Sequence, residues 1–247
     1  MRRIELYDDG IGHVELVESM GSDLTVVNSA RVSFGVHKDK LDERDRKLIK
    51  YLVEHRHTST LEHCLMTFRF KVPLYVRSQH HRHRTWSYNE ISRRYTDSNI
   101  EFYEPTAFRT QHKSNRQASN ENELINPYVG FLWDESCPLE ETREYSAVRA
   151  MKELHQGAIY LYRDMIEAGV CREQARGVLP QNMYTEYYGT VNLNNLLKFI
   201  DLRTHEGAQW EIQRVAEACL ELAHETWPVA VGAWLECHGF QEIKKLI

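Results

Sequence analysis

Paired cysteines are missing from this chain. Its five cysteines (Cys64, Cys137, Cys171, Cys219 and Cys237) stand singly, their number is odd, and no Cys-x-x-Cys occurs. That excludes a disulfide framework and a thiolate zinc site, and it suits a reducing cytoplasm. No apolar run approaches the ~18 residues of a membrane-spanning helix, so no membrane partner is expected. The opening residues lack a long apolar stretch and read as a strand, not as a secretory leader. The Gly10-x-Gly12 pair lacks the third glycine of a dinucleotide loop and reads as a hairpin turn. Positive charge is not in surplus either: the formal net charge is -5, which argues against a general nucleic-acid binder. There is no internal repeat and no linker. At 247 residues, 42% hydrophobic and 27% charged, the chain reads as one soluble domain over 1–247.

Periodicity predicts strands over 4–7 and 13–17, then a helix capped by Ser22 or Asp23 and a second helix opened by Asp42. Helix-start residues Thr58, Ser59 and Thr60 follow. Met66, Phe68, Phe70 and Val72 alternate with polar residues in the clearest strand of the chain. Pro73 ends that strand and begins a helix to about 82, with a loop over 85–89 and a strand over 100–103. A polar insertion over about 105–138 reads as a mobile loop. A long helix over 139–168 is stopped by Gly169, and a short one over 172–178 by Pro180. Residues 182–191 read as strand, Asn192 caps a helix ending near Arg203, and a last long helix over 209–227 is broken by Pro228, before a partly apolar tail over 231–240. The expected fold class is α/β (α+β), with a central, largely antiparallel sheet flanked by helices.

Residues 79–95 hold four arginines, three histidines and three aromatics, but one acid and no lysine. Solvated basic faces favour lysine, whereas sites that need a planar fork favour arginine. The stretch therefore suits a flat, anionic ligand such as a nucleotide, with guanidinium groups on phosphate or carboxylate and aromatic faces on a heterocycle. The histidines do not form a metal site: neighbours in sequence point apart, and no His-x-x-x-His occurs.

Arg82-His83-Arg84, followed after seven residues by Ser92 and then Arg94-Tyr95, with Asn89-Glu90 between, resembles the signature of the flavin-dependent thymidylate synthases. The likeness extends through His57 to His63, Arg176 to Pro180, Asn192 and Leu202-Arg203. The resemblance implies reductive methylation of dUMP to dTMP, with 5,10-methylenetetrahydrofolate as carbon donor, FAD as hydride source and NADPH as its reductant. It also implies a homotetramer with shared active sites. By the same resemblance, Gln79, His80, His81, Arg82, Glu90, Ile91, Ser92, Arg93, Arg94, Arg176 and Arg203 match dUMP positions. His57, Ser59, Arg82, His83, Arg84, Glu90, Asn192, Leu193, Asn194 and Lys198 match FAD positions. Arg203 is the implied catalytic residue, stabilising uracil ionised at N3, because a nearby cation favours the anionic form. Ser92 is expected to hydrogen-bond rather than attack, since a serine nucleophile needs a base and only Glu90 and His83 are near in sequence.

Four places depart from the family pattern. His80-His81 replaces an aromatic pair, Arg93 stands where a small residue is common, Lys198 replaces Asn or His, and Gly207 stands where a histidine is frequent, with His205 nearby. A rival reading, a single-stranded nucleic-acid binder that stacks bases on Trp86, Tyr88 and Tyr95, predicts a colourless protein with salt-dependent oligonucleotide binding. A third is a degenerate member that binds nucleotide without turnover.

Overall fold

The computed structural model describes residues 2–130 and 144–239. It opens with an antiparallel hairpin, β1 (Arg3–Glu5) and β2 (His13–Met20). Asp9 makes the turn, its Oδ1 accepting the backbone N–H groups of Ile11 and Gly12 at 2.9 and 3.0 Å. Space requires the glycine at 12, because a Cβ there would lie 2.6 Å from the Tyr7 ring.

Helix α1 (Asp23–Arg31) starts at a reciprocal cap between Ser22 and Thr25. Helix α2 (Glu43–Glu54) starts at Asp42, whose carboxylate accepts the N–H groups of Arg44 and Asp45. Both caps satisfy donors that a helix cannot satisfy internally. Thr58–Leu61 is a single 3-10 turn, followed by β3 (Leu65–Pro73). Met66, Phe68, Phe70 and Val72 of β3 are fully buried. The opposite face is polar: Arg69 pairs with Glu186 and Glu15, and Thr67 hydrogen-bonds Thr190. Pro73 is the N-cap of α3 (Leu74–His80), which stops short of the predicted end at 82.

The next stretch differs from the sequence reading in three places. Residues 85–89 were expected as loop, but Ser87–Glu90 forms strand β4. Residues 100–103 were expected as strand, but they make one isolated bridge, Phe102 to Met183. The polar insertion is not a loop over its described part. It holds β5 (Phe108–Gln111) paired with β6 (Ser119–Ile125), and β7 (Tyr128–Gly130) paired with β8 (Glu144–Ser146). These ribbons bury little on either face, so their sequences lack the apolar alternation that announces a strand. The parts of the insertion and of the predicted long helix that fall on 131–143 lie outside the described residues.

Helix α4 (Ala147–Glu167) is capped by Ser146, and Gly169 follows its end at φ 93°. Helix α5 (Arg172–Ala175) runs into a 3-10 turn, Arg176–Val178. Strand β9 (Tyr184–Asn192) inserts between β3 and β4, so the sheet order is β1-β2-β3-β9-β4, antiparallel throughout. Asn192 caps α6 (Leu193–Arg203), its Oδ1 accepting the Asn195 N–H at 2.9 Å. Helices α7 (Trp210–Thr226) and α8 (Pro228–His238) follow; of the expected apolar tail, Phe240 lies outside the described residues.

One apolar cluster joins the buried face of β3 to α1, α2, α6, α7 and α8. Within it Trp227 is fully buried and donates Nε1–H to the Gly21 carbonyl at 3.1 Å. The Asp23 carboxylate accepts the N–H groups of Val229 and Ala230 at 3.0 and 2.8 Å, so the start of α1 caps α8. Helix α4 packs through a smaller cluster of Phe102, Ile159 and Met183. The expected fold class stands: an antiparallel sheet carrying helices.

Candidate active site

Strand β4 delivers the signature to a cleft. Its pairing with β9 places Glu90 opposite Tyr187, and the Ile91 N–H extends the ladder to the Glu186 carbonyl at 2.9 Å. The chain then turns, with the Tyr95 and Thr96 N–H groups on the Ser92 carbonyl at 2.9 and 3.2 Å. Across from this turn stands the 3-10 segment after α5, bearing Arg176. The α5 end is tied to the turn by the Arg172–Asp97 ion pair at 3.0 Å. Between them lies a cleft of about 530 Å³, whose lining includes Arg77, Glu90, Ser92, Arg93, Arg176 and Thr185. Five predicted dUMP residues (Glu90, Ile91, Ser92, Arg93 and Arg176) thus share one cavity.

Their chemistry there is unequal. Glu90 Oε1 accepts from Thr185 Oγ1 at 2.7 Å and lies 3.1 Å from Arg77 Nε, while Oε2 has no partner among the described residues. Arg93 is buried and donates to the Ser98 and Asn99 carbonyls at 2.6 and 3.2 Å, with Asn99 held at φ 53°. Burial lowers the Arg93 pKa from its ordinary value. Its guanidinium braces the turn instead of reaching outward. Arg94 is exposed, 5.3 Å above the Tyr95 ring. Ser92 Oγ accepts the Arg94 N–H at 3.3 Å and has no hydrogen-bonded base among the described residues.

A second group gathers elsewhere. Arg203, at the end of α6, donates Nε–H to His83 Nε2 at 3.2 Å and Nη2–H to the Gln79 carbonyl at 3.1 Å. Neither Gln79 nor Arg203 lines the cleft. On α3, Gln79 is rotated about 200° from Arg77, at ~100° per residue, and so occupies the opposite side. Arg82 and Arg84 are exposed beyond the helix end.

His80 was expected at the substrate. Instead it is fully buried, with Nδ1 at 2.8 Å from the Tyr187 hydroxyl and its ring edge-on to Phe70 and Trp86. Val76 sits four residues earlier on the same buried helical face and turns it inward. His81 lies over Tyr88 at 4.1 Å. Trp86 packs onto Gly189, where a Cβ would come within 2.9 Å of Phe70 and 3.2 Å of the indole.

Burial, and then the charge of Arg203, push the His83 pKa down from 6.5 to about 4. Burial also lowers that of His80. The folded state therefore takes up protons later than the unfolded state, and stability is lost as pH falls from 6.5 toward 4. Above 6.5 these groups add no slope. The urea-unfolding midpoint should be flat at pH 7–8, decline between 6.5 and 4, and decline less in His83→Gln; equal declines in the two proteins would remove His83 from the account.

The predicted FAD residues are less uniformly placed. Asn194, which is buried and donates to Glu62 Oε1 at 2.8 Å, and Lys198, which is exposed, both line a pocket of about 470 Å³. Leu52, Leu197 and Trp234 form apolar walls there, and Arg56 adds a second cation. Glu54 and Asp201 line the pocket beside these cations, so its apolar walls fit the flat aromatic part of a cofactor better than a diphosphate. His57 and Ser59 are exposed on the neighbouring 3-10 turn. Leu193 keeps its side chain in the core and its N–H on the Cys64 carbonyl at 2.8 Å. Asn192 uses its side-chain oxygen as the cap of α6.

Sequence reasoning missed Arg77, Thr185 and Arg56. For Arg77 a signal existed, since it follows Leu74 at i+3 on the cleft side of α3; Thr185 and Arg56 needed the tertiary structure. Burial raises the pKa of Cys64 to about 12, and that of Cys219 as well, so neither thiol is poised as a thiolate.

The family described as "Thymidylate synthase complementing protein" matches residues 15–229. A flavin-dependent thymidylate synthase of Thermus thermophilus is 44% identical over 225 residues, covering 91% of this chain and 76% of the relative. One from Thermotoga neapolitana is 39% identical over 225 residues, 91% of each chain. Among solved structures, the UMP/dUMP methylase PolB of Streptomyces cacaoi, bound with 5-Br dUMP, superposes with TM-score 0.75 at 33% identity, covering 94% of this chain and 97% of that one. Signature, antiparallel fold and relatedness along nearly the whole length agree, and the chain is an enzyme of the flavin-dependent thymidylate synthase family.

Proposed function

We propose that this enzyme methylates dUMP to dTMP reductively, with 5,10-methylenetetrahydrofolate as carbon donor, FAD as the flavin and NADPH as its reductant, in the cytoplasm and as a homotetramer. The observation that carries this reading is the convergence of Glu90, Ser92, Arg93 and Arg176, from distant parts of the chain, on one cleft. Arg176 and the exposed Arg94 are the cations for the phosphate, with guanidinium forks matched to its oxygens. The Ile91 N–H is spent on the sheet, so the backbone donors left are those of Ser92 and Arg93. Arg93 shapes the turn, and Glu90 Oε2 accepts from a sugar hydroxyl.

Arg203 stands beside the pyrimidine. Its charge favours the N3 anion, which makes the ring electron-rich at C5 without a thiol. Arg203 and Gln79 lie on the far side of α3 from the cleft. This supports a site assembled from two subunits, the cleft of one facing the Gln79–Arg203 group of another. Arg82 and Arg84 with Asn194 and Lys198 hold FAD, the last two through the pocket of about 470 Å³. FAD, when bound and reduced, supplies the hydride that completes the methyl group.

Release of tritium from [5-³H]dUMP tests the reading. Release should require FAD, NADPH and methylenetetrahydrofolate together, and the yellow protein should bleach on anaerobic addition of NADPH. A colourless protein that releases no tritium and binds oligonucleotides in a salt-dependent way would overturn it.

A further inference from the structure

Gln79 is the end of a hydrogen-bonded chain. Its Nε2 donates to Gln209 Oε1 at 2.5 Å, and Gln209 Nε2 donates to Glu211 Oε2 at 2.9 Å. Glu211 Oε1 accepts from Arg109 Nη2 at 2.7 Å. Gln209 is the N-cap residue of α7, and Glu211 lies buried in its first turn. Arg109 comes from β5 of the polar insertion, where its Nε donates to Ser119 Oγ at 2.9 Å and its guanidinium lies 5.1 Å above the Trp210 ring. The chain therefore begins in the insertion and finishes at Gln79.

Its polarity is fixed at the Arg109 end. A guanidinium only donates, a carboxylate only accepts, and a primary amide presents a donor on one side and an acceptor on the other. Glu211 offers no proton, so Gln209 must turn its NH2 toward Glu211 and its oxygen toward Gln79. Gln79 must answer with its own NH2. The Gln79 atom turned away from the chain is Oε1, which has no partner among the described residues. We propose that Arg109, Glu211 and Gln209 are positioning residues that hold Gln79 as a hydrogen-bond acceptor toward the substrate, so that the site takes a ligand N–H or O–H at that point. This rests on the dUMP reading and deepens it, because it gives the insertion a task in substrate choice.

The full-length, FAD-loaded protein provides the test, with dUMP affinity read by calorimetry. In Glu211→Gln the new amide must still accept from Arg109. Its NH2 then faces Gln209, both glutamines flip, and Gln79 presents a donor to the substrate. Affinity for dUMP should fall roughly tenfold, the scale of one hydrogen bond lost to a mismatch. The exchange Gln209→Glu with Glu211→Gln restores the original polarity, because a carboxylate at 209 accepts from both neighbours; affinity should return to within about threefold of wild type. Loss of a merely structural contact would not be repaired by this exchange. Binding of dCMP separates the two sources of the donor: Glu211→Gln narrows the preference for dUMP if the base N–H meets Gln79, and leaves the ratio unchanged if a sugar hydroxyl does. A folded Glu211→Gln that binds dUMP like wild type, or an exchange variant as weak as the single one, overturns the proposal. Neutron diffraction of the wild type decides the matter even if the variants do not fold: two deuterons on the Gln79 atom facing Gln209 support it, and deuterons on the outer atom overturn it. A wild type that binds no dUMP would sink the nucleotide reading, while the neutron map would still fix the amide orientation.

Discussion

Arg203→Ala is expected to lower kcat for dUMP methylation by about 10²–10³-fold, the usual scale for removing one preorganised charge from a transition state. The guanidinium is half-buried, and its hydrogen bonds among the described residues go to an imidazole nitrogen and a backbone carbonyl, not to a carboxylate. Burial lowers its pKa, which means that its charge is less well solvated than in water. A cation held in place with no counter-ion among the described residues interacts most strongly with an anion that forms during the reaction, and the proposed uracil N3 anion is one. The effect should therefore appear in kcat more than in dUMP affinity, and the thermal midpoint should move by only a few degrees. Arg203→Lys should recover a minor part, because an ammonium cannot span His83 and Gln79 as the planar fork does. Single-turnover kinetics on FAD-loaded protein are the measurement; kcat within about threefold of wild type would remove Arg203 from the chemistry.

Two inactive variants should revive each other. Arg176 lines the cleft, whereas Arg203 holds Gln79 on the opposite side of α3. If each site takes Arg176 from one subunit and Arg203 from its neighbour, the Arg176→Ala and Arg203→Ala oligomers are both silent. In a randomly mixed oligomer, about a quarter of the sites would then combine two intact arginines. Co-expression with two different tags, purification of the doubly tagged species and assay at matched concentration should show about a quarter of wild-type activity. A doubly tagged species as silent as its parents would place both arginines in one subunit's site.

Much of this architecture was legible because local chemistry announces it. Asp42 and Asn192 sit where helices begin, Pro228 stands just beyond the end of α7, and β3 alternates strictly; the further helix that Pro228 opens was not read. The 79–95 stretch stood out by its composition, and its residues Glu90 to Arg93 do line a cavity. What escaped was decided by packing. Strand β4 is a short edge strand of polar residues, held by its backbone pairing with β9, so it leaves no apolar signature. His80 matched a dUMP position by resemblance, yet its helical phase with Val76 sends it into the core. Arg93 matched a dUMP position by resemblance, but its fork closes on two backbone carbonyls. The partition of the signature between the two sides of α3 depends on where that helix lies, which no linear motif encodes.

The placement of β9 bears on how the protein is made. The strand fills the slot between β3 and β4, so those two cannot become a stable ribbon by themselves while the nascent chain emerges. The last helix, α8, is capped by a carboxylate near the first one. Pairings this remote in sequence slow folding and leave an open β3 edge waiting for its late-synthesised neighbour. A ribosome-bound chain halted before residue 184 should therefore be protease-sensitive and chaperone-bound, and should acquire resistance only once the C-terminal third has left the exit tunnel.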